Sequence, residues 1–304
     1  MKTLLLLVGL LGLSSATPLQ KGFLSVDREV DGNVFEDLLH GVVPPAELVF
    51  GGIHSYAGQW PDHVFVYYTS NSTGKKHACG GTLLTPNHVL TAAHCTEDLV
   101  APSLAMTGVI DISSALKSPD VQIRGISSYV RHPDYDPDDT FANDIAVLTL
   151  NASVTLNKFA QLMKIKADDS ALLEVGHGMV TGFGVHLVLY NQPQSSRFLL
   201  WADVPFKNYT WCKDQWERVS GNKVHIKSNQ ICYGADGKGT GPGDSGGPVR
   251  VQENGQWYQV GAVSFGVGQP DRMPRQDEYP SVGTRVAPHC AFIESATKNA
   301  FKCL

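Results

Sequence analysis

Ser245 stands in the stretch GTGPGDSGGPV, residues 239–249, among glycines and beside Asp244. A serine hydroxyl is a weak nucleophile until a neighbour takes its proton. The stretch therefore reads either as a glycine-rich surface turn or as a turn that presents a nucleophile. Two other stretches bear on the choice. LTAAHC, residues 90–95, ends an apolar run in His94 and Cys95, and NDIAVLTL, residues 143–150, sets Asp144 at the head of an apolar run. A carboxylate there is costly to bury unless it is paired. Each is ordinary alone: a lone histidine is usually structural, and an aspartate before a strand is usually a cap. In the order His, Asp, Ser, roughly 50 and 100 residues apart, the three supply a base, a carboxylate to orient it and a nucleophile.

The segments that carry these residues are short runs rich in Val, Ile, Thr and aromatics, such as HVFVYYTS, VQIRGISSYV, DIAVLTL and YQVGAVSFGV. Gly, Pro, Asn and Asp punctuate them. A helical period emerges only near the end, in APHCAFIESATKNAF. Many short strands without helical crossovers imply an all-β fold of antiparallel barrels or a sandwich. Over the residues from Val49 onward, two small barrels packed together with a C-terminal helix are the economical arrangement.

The stretches VFGG, GQWP, CGGTLLTPNHVLTAAHC, NDIAVLTL, GDSGGP and VSFG resemble the chymotrypsin family of serine proteases, from Val49 nearly to the C-terminus. The resemblance implies two six-stranded antiparallel β-barrels, with a boundary near 165–175, and hydrolysis of peptide bonds. Ser245 would attack the carbonyl, His94 would take and return the proton, and Asp144 would hold the imidazole. The backbone N–H groups of Gly243 and Ser245 would form the oxyanion hole. Asp244 would pair with the ammonium of a new N-terminus at Val49, released by cleavage after Leu48. Disulfides Cys79–Cys95 and Cys212–Cys232 follow the same pattern. Many members also carry a cysteine where this chain has Gly241, so a looser pocket wall is expected. Counting back from Ser245 puts Gly239 at the base of the primary specificity pocket, with Ser264 and Gly266 along it and Ser281 on the far wall. With no charge at Gly239 the expected preference is for large apolar residues. Asp271 or Asp277, in the insertion VGQPDRMPRQDEYP, would give a mixed specificity if either reached the pocket. A catalytically inactive homologue acting as a binding or regulatory module is the competing reading. An α/β-hydrolase is disfavoured, because the pattern is G-D-S-G-G and the order is His, Asp, Ser.

The first residues, MKTLLLLVGLLGLSSAT, read as a cleaved secretion signal over 1–16, followed by an activation propeptide over 17–48 that ends in an extended Pro44–Pro45 segment. A secreted, extracellular monomer follows, with digestion of dietary protein as one setting and no membrane anchor, since the apolar run is too short to span a bilayer. In an oxidising compartment the six cysteines favour disulfides over metal ligation. Cys290 and Cys303 remain after the first two pairs. A continuous helix would hold them about 20 Å apart, so either the helix ends early and the tail folds back, the favoured outcome, or Cys303 pairs with another chain. Sequons at Asn71, Asn151 and Asn208 offer glycan sites. The formal net charge of −5 gives no reason to expect nucleic acid. Expected partners are protein or peptide substrates and protein protease inhibitors, with no cofactor and no metal. The acidic loop HPDYDPDDTFAND lacks calcium-loop spacing and reads as solvated.

Overall fold

The computed structural model describes Leu24–Ser25 and residues 49–304. The expected signal and the rest of the expected propeptide, Leu48 included, lie outside the described residues. Six strands, β3 (His63–Ser70), β4 (Lys76–Thr85), β5 (His88–Thr91), β6 (Leu99–Thr107), β7 (Gln122–Arg131) and β8 (Ala146–Leu150), close into a barrel in the order β3-β4-β5-β8-β7-β6. A second antiparallel ring runs β15-β14-β9-β12-β13-β16 and closes through β15–β16 pairing. Its strands are β9 (His177–Gly182), β12 (Leu200–Lys207), β13 (Gln230–Tyr233), β14 (Pro248–Glu253), β15 (Gln256–Val267) and β16 (Ser281–Arg285). A short strand β2 (Ile53–His54) adds to β12, and β1 (Leu24–Ser25) pairs with β15, Ser25 opposite Gly266. β10 (Val185–Leu189) and β11 (Gln192–Ser195) form a separate hairpin.

Each barrel is filled from within by the β-branched and aliphatic residues that marked its strands. Val64, Val66, Leu83, Val89 and Leu148 fill the first, and Val180, Leu200, Val204, Val249 and Val260 the second. A third cluster joins them: Leu84, Leu90, Ile145 and Val147 from the first barrel meet Ala262 and Val286 from the second. Burying a side chain of this size stabilises by ~1.5–3 kcal/mol, so the seam between barrels is itself a core. It is also polar at one point. Arg250 of β14, wholly buried, donates from Nε to Asp62 Oδ2 (2.8 Å) and from Nη1 to Thr181 Oγ1 (3.0 Å), and its guanidinium lies 5.0 Å from the Trp60 ring.

Helices are few. α1 (Ser170–Leu173) lies in the crossing between barrels. α2 (Tyr209–Ser220) starts at Asn208, whose Oδ1 accepts from Thr210 N and Trp211 N, and stops at Gly221 in the left-handed region. α3 (Cys290–Ala296) is shorter than its sequence pattern implies, since Thr297 bonds back onto Ile293 O and Lys298 and Asn299 take positive φ. The tail turns back and Cys303 pairs with Cys290, Cα atoms 6.0 Å apart. The other disulfides are Cys79–Cys95 and Cys212–Cys232. Among the described residues no helix is long and apolar enough to cross a membrane.

Candidate active site

His94 follows the end of β5 through two fully buried alanines and opens a 3-10 turn, His94–Thr96. Thr96 Oγ1 closes the turn onto Ala93 O (2.7 Å), and the Cys79–Cys95 disulfide pins it to β4. Asp144 precedes β8 and is fully buried. Burial of a carboxylate requires donors, and it has three: His94 N to Oδ1 (3.0 Å), His94 Nδ1 to Oδ2 (2.7 Å) and Ser264 Oγ to Oδ2 (2.5 Å). With Nδ1 carrying its proton toward Asp144, a neutral His94 has Nε2 as its acceptor. Ser264, expected only along the specificity pocket, thus also braces the carboxylate.

The loop ahead of Asp144 is held tightly. Thr140, Phe141 and Asn143 all take positive φ, a strained state for the first two. Asn143 tolerates it and is tied to Asp134 O and to Asn229. The Phe141 ring stands edge-on to His94, centroids 6.0 Å apart. In the acidic stretch Asp136 caps Asp138 N and Asp139 pairs with Lys227, both at the surface. Tyr135 donates to Glu97 Oε1 (2.7 Å), and burial together with the nearby Asp144 charge pushes its phenol up.

Ser245 sits in a turn fastened at both ends. Asp244 N donates to Gly241 O (3.0 Å), Gly247 N to Asp244 O (2.9 Å), and Gly80 N of β4 to Ser245 O (2.7 Å). Gly80 must be glycine, because a Cβ there would lie 2.6 Å from Gly247 Cα. Gly243 takes φ +97°, a backbone that side chains rarely permit. Cys95 Sγ lies 3.7 Å from both Ser245 O and His94 Nε2. The backbone of Ser245 is thereby set beside the turn that carries His94 at the barrel seam, His94 and Asp144 coming from one barrel and Ser245 from the other.

Asp244 is buried with each oxygen on one amide, Gly184 N (2.8 Å) and Gly241 N (2.9 Å). Burial pushes its carboxyl up to about 7 against the pull of those amides. No side-chain cation pairs with it among the described residues. Val49 is completely buried, with φ +41° unusual for a β-branched residue.

Beside Ser245 a narrow pocket opens between Thr240–Pro242, Val263–Val267 and the segment before β16. Ser264, Gly266 and Ser281 line it. A methyl added to Gly266 would meet only Ser281 Oγ, at 4.0 Å, so position 266 itself leaves room in the pocket. Gly239 does not line it. The expected base position is overlaid by Gln276, which was not singled out from the sequence: a Cβ on Gly239 would lie 1.6 Å from Gln276 Oε1. Asp271 and Asp277 are exposed and absent from the lining, so neither carboxylate supplies a charged pocket. At Gly241 a Cβ would lie 2.3 Å from Val185 O, and Val185 N donates to Pro242 O (2.8 Å). The wall without the family's extra cysteine is therefore closed by β10. The compact group Cys79, His94 and Cys95 could suit a metal by proximity, but both sulfurs are in the disulfide and offer no thiolate. The sequons at Asn71, Asn151 and Asn208 are exposed.

A double barrel with a buried aspartate–histidine pair and a glycine-flanked serine at its seam defines the class of two-barrel serine hydrolases. The family model described as Trypsin matches residues 49–293, and the chain belongs to that family. It is similar to Serine protease 41 of Homo sapiens, 34% identical over 233 residues, 74% of this chain and 71% of the relative. Chymotrypsin-like elastase family member 1 of Macaca fascicularis is 30% identical over 249 residues, 81% of this chain and 88% of the relative. Chymotrypsin-C of Bos taurus is 31% identical over 249 residues, 81% and 87% respectively.

Proposed function

We propose that the protein is a secreted serine endopeptidase, made as a zymogen, that cleaves peptide bonds after large apolar residues. The observation that carries this reading is the 2.7 Å contact from His94 Nδ1 to the buried Asp144, at the seam where Ser245 lines a cavity. It leaves Nε2 as the base. Ser245 Oγ attacks the carbonyl carbon as its proton passes to His94, and the oxyanion is received by the N–H groups of Gly243 and Ser245. His94 then protonates the leaving amine, and water, activated by His94, hydrolyses the acyl-enzyme. The apolar walls of the cavity favour an uncharged side chain.

Activation is cleavage between Leu48 and Val49, after which the Val49 ammonium pairs with Asp244. A fully buried carboxyl raised to about 7, with no side-chain cation beside it among the described residues, supports this role. Residues 1–16 act as the secretion signal, and glycans attach at Asn71, Asn151 and Asn208; digestion of dietary protein is the setting we assign. The test is to cleave the precursor at Leu48, treat it with a fluorophosphonate probe and assay peptide hydrolysis beside a folded Ser245→Ala variant. Labelling and turnover that vanish together in the variant are expected. A correctly cleaved wild-type protein that neither labels nor hydrolyses is a binding module, and the proposal is then wrong.

A further inference from the structure

The insertion between β15 and β16 looks in sequence like a charged surface loop, yet three of its side chains point the other way. Met273, Gln276 and Tyr279, spaced three apart, are all buried, while Arg275 and Asp277 between them, and Asp271 just ahead, are exposed. Gln276 is only 3% exposed, and both ends of its amide are fixed: Nε2 donates to Thr240 O (2.7 Å) and Oε1 accepts from Ser281 Oγ (2.6 Å). Thr240 Oγ1 donates to the same Ser281 hydroxyl (2.9 Å), and Tyr233 OH adjoins Thr240 Oγ1 (3.2 Å). The backbone around it is secured as well, since Gly237 N donates to Pro274 O (2.7 Å) and Gln215 of α2 donates to Glu278 O (2.6 Å). A buried amide with this many partners is held in place rather than swept aside by an entering ligand.

We infer that Gln276 is the specificity-determining floor of the pocket, and that it selects leucine and methionine at the cleaved position over the longer tyrosine, tryptophan, arginine and lysine. This rests on the proposed peptidase reading. The deepest part of the pocket, above Gly239, is the space the amide fills. A side chain passing Gly266 runs along Val263, Phe265, Val267 and Met273 and then stops at an uncharged polar group. Leucine and methionine end within the apolar part. A tyrosine ring or a guanidinium would have to displace the amide and strand its buried partners. The basic residues would in addition enter without a counter-charge. Leu48, at the proposed activation junction, is a residue this pocket accepts.

The experiment compares wild type, Gln276→Gly and Gln276→Leu, each cleaved after Leu48 and titrated with a fluorophosphonate so that rates refer to active sites. The substrates are one peptide series carrying Leu, Met, Tyr, Trp or Arg at the cleaved position. Wild type should prefer Leu and Met by about tenfold or more in kcat/KM, the scale of a misfit in an apolar pocket. Gln276→Gly should raise the Tyr-to-Leu ratio at least tenfold. Gln276→Leu, which keeps the bulk and loses the hydrogen bonds, should keep the wild-type order. Wild type that favours Tyr, Trp or Arg, or a Gln276→Gly protein that titrates fully with an unchanged ratio, overturns the inference. If Gln276→Gly does not fold, the wild-type series decides: a Leu and Met preference of about tenfold or more supports the floor, and equal or better cleavage after Tyr, Trp or Arg refutes it. Failure of wild type to titrate would instead overturn the peptidase reading.

Discussion

The buried Asp244 should give the uncleaved chain a pH dependence of stability that the cleaved chain lacks. The perturbation is pH between 5 and 7, applied to the Ser245→Ala precursor so that no self-cleavage intrudes. In the unfolded chain this carboxyl titrates near ~3.9, whereas burial in the fold raises it to about 7. Within that interval the folded protein holds one more proton than the unfolded one. Stability from this group therefore falls as pH rises through the window and levels off above about 7. At about 1.36 kcal/mol per unit, the slope flattening as the folded carboxyl ionises near 7, the loss from pH 5 to 7 is on the order of 2–3 kcal/mol. Cleavage after Leu48 supplies an ammonium that favours the charged carboxylate, so the slope should vanish. Every group that titrates alike in both forms cancels in the comparison, and the new α-amino group titrates near ~8, outside the window. Urea unfolding of intact and cleaved protein at several pH values reads the effect directly. With an m-value of ~3 kcal/mol/M, the intact midpoint should drop by about 1 M relative to the cleaved one. Parallel pH profiles for the two forms would refute the reasoning.

Three further outcomes are expected. Ser264→Ala removes one of three donors on a buried carboxylate, a hydrogen bond to charge that is worth ~1.5–3 kcal/mol of stability; calorimetry should show a Tm lower by about 3–12 °C, and kcat at saturating peptide should fall as Asp144 holds His94 less firmly. Gly182→Ala would put a Cβ 1.9 Å from Asp244 Oδ1, forcing the carboxylate out of its amide cradle and disturbing the turn that bears Gly243, so kcat/KM should fall by about 100-fold or more, measured on the same peptide. Replacing Cys290 and Cys303 together by alanine opens a short closed loop, costing ~3 kcal/mol; calorimetry should show a Tm lower by about 6–12 °C while kcat at 25 °C stays within about twofold.

The strands were legible because the residues that fill each barrel are contiguous β-branched runs broken by turn residues, a signal that lies along the chain. Closure into two rings was not in those runs. The length after Val49 made two small barrels economical, and which strands close each ring came from the resemblance, since β3–β6 and β15–β16 pairing joins segments whose sequences do not announce each other. The residues around Ser245 stood out for a local reason: close approaches such as Gly80 against Gly247 demand glycine and leave a visible pattern. Gln276 left no such pattern, because a polar residue inside a charged insertion looks solvated. The trace that was available is the three-residue spacing of Met273, Gln276 and Tyr279, which marks one buried side of the loop. The early end of α3 was legible only as one of two alternatives, since TKNAF continues an apolar period and the positive φ of Lys298 and Asn299 is decided by the tail packing back.

Arg250 and Asp62 tie the second barrel to the residue just ahead of the first. A hinge that parted the barrels would pull a guanidinium on β14 away from a carboxylate just ahead of β3, leaving both charges unpaired in a dry interior. Breaking such a pair costs ~3–5 kcal/mol, so fewer than about one molecule in a hundred would be found open at equilibrium. The groove is in that sense a slot of set gauge cut in a rigid frame. Whatever tunes what passes through it, whether an inhibitor, a glycan or an evolving insertion, has to act on the loops at its rim rather than by prising the halves apart.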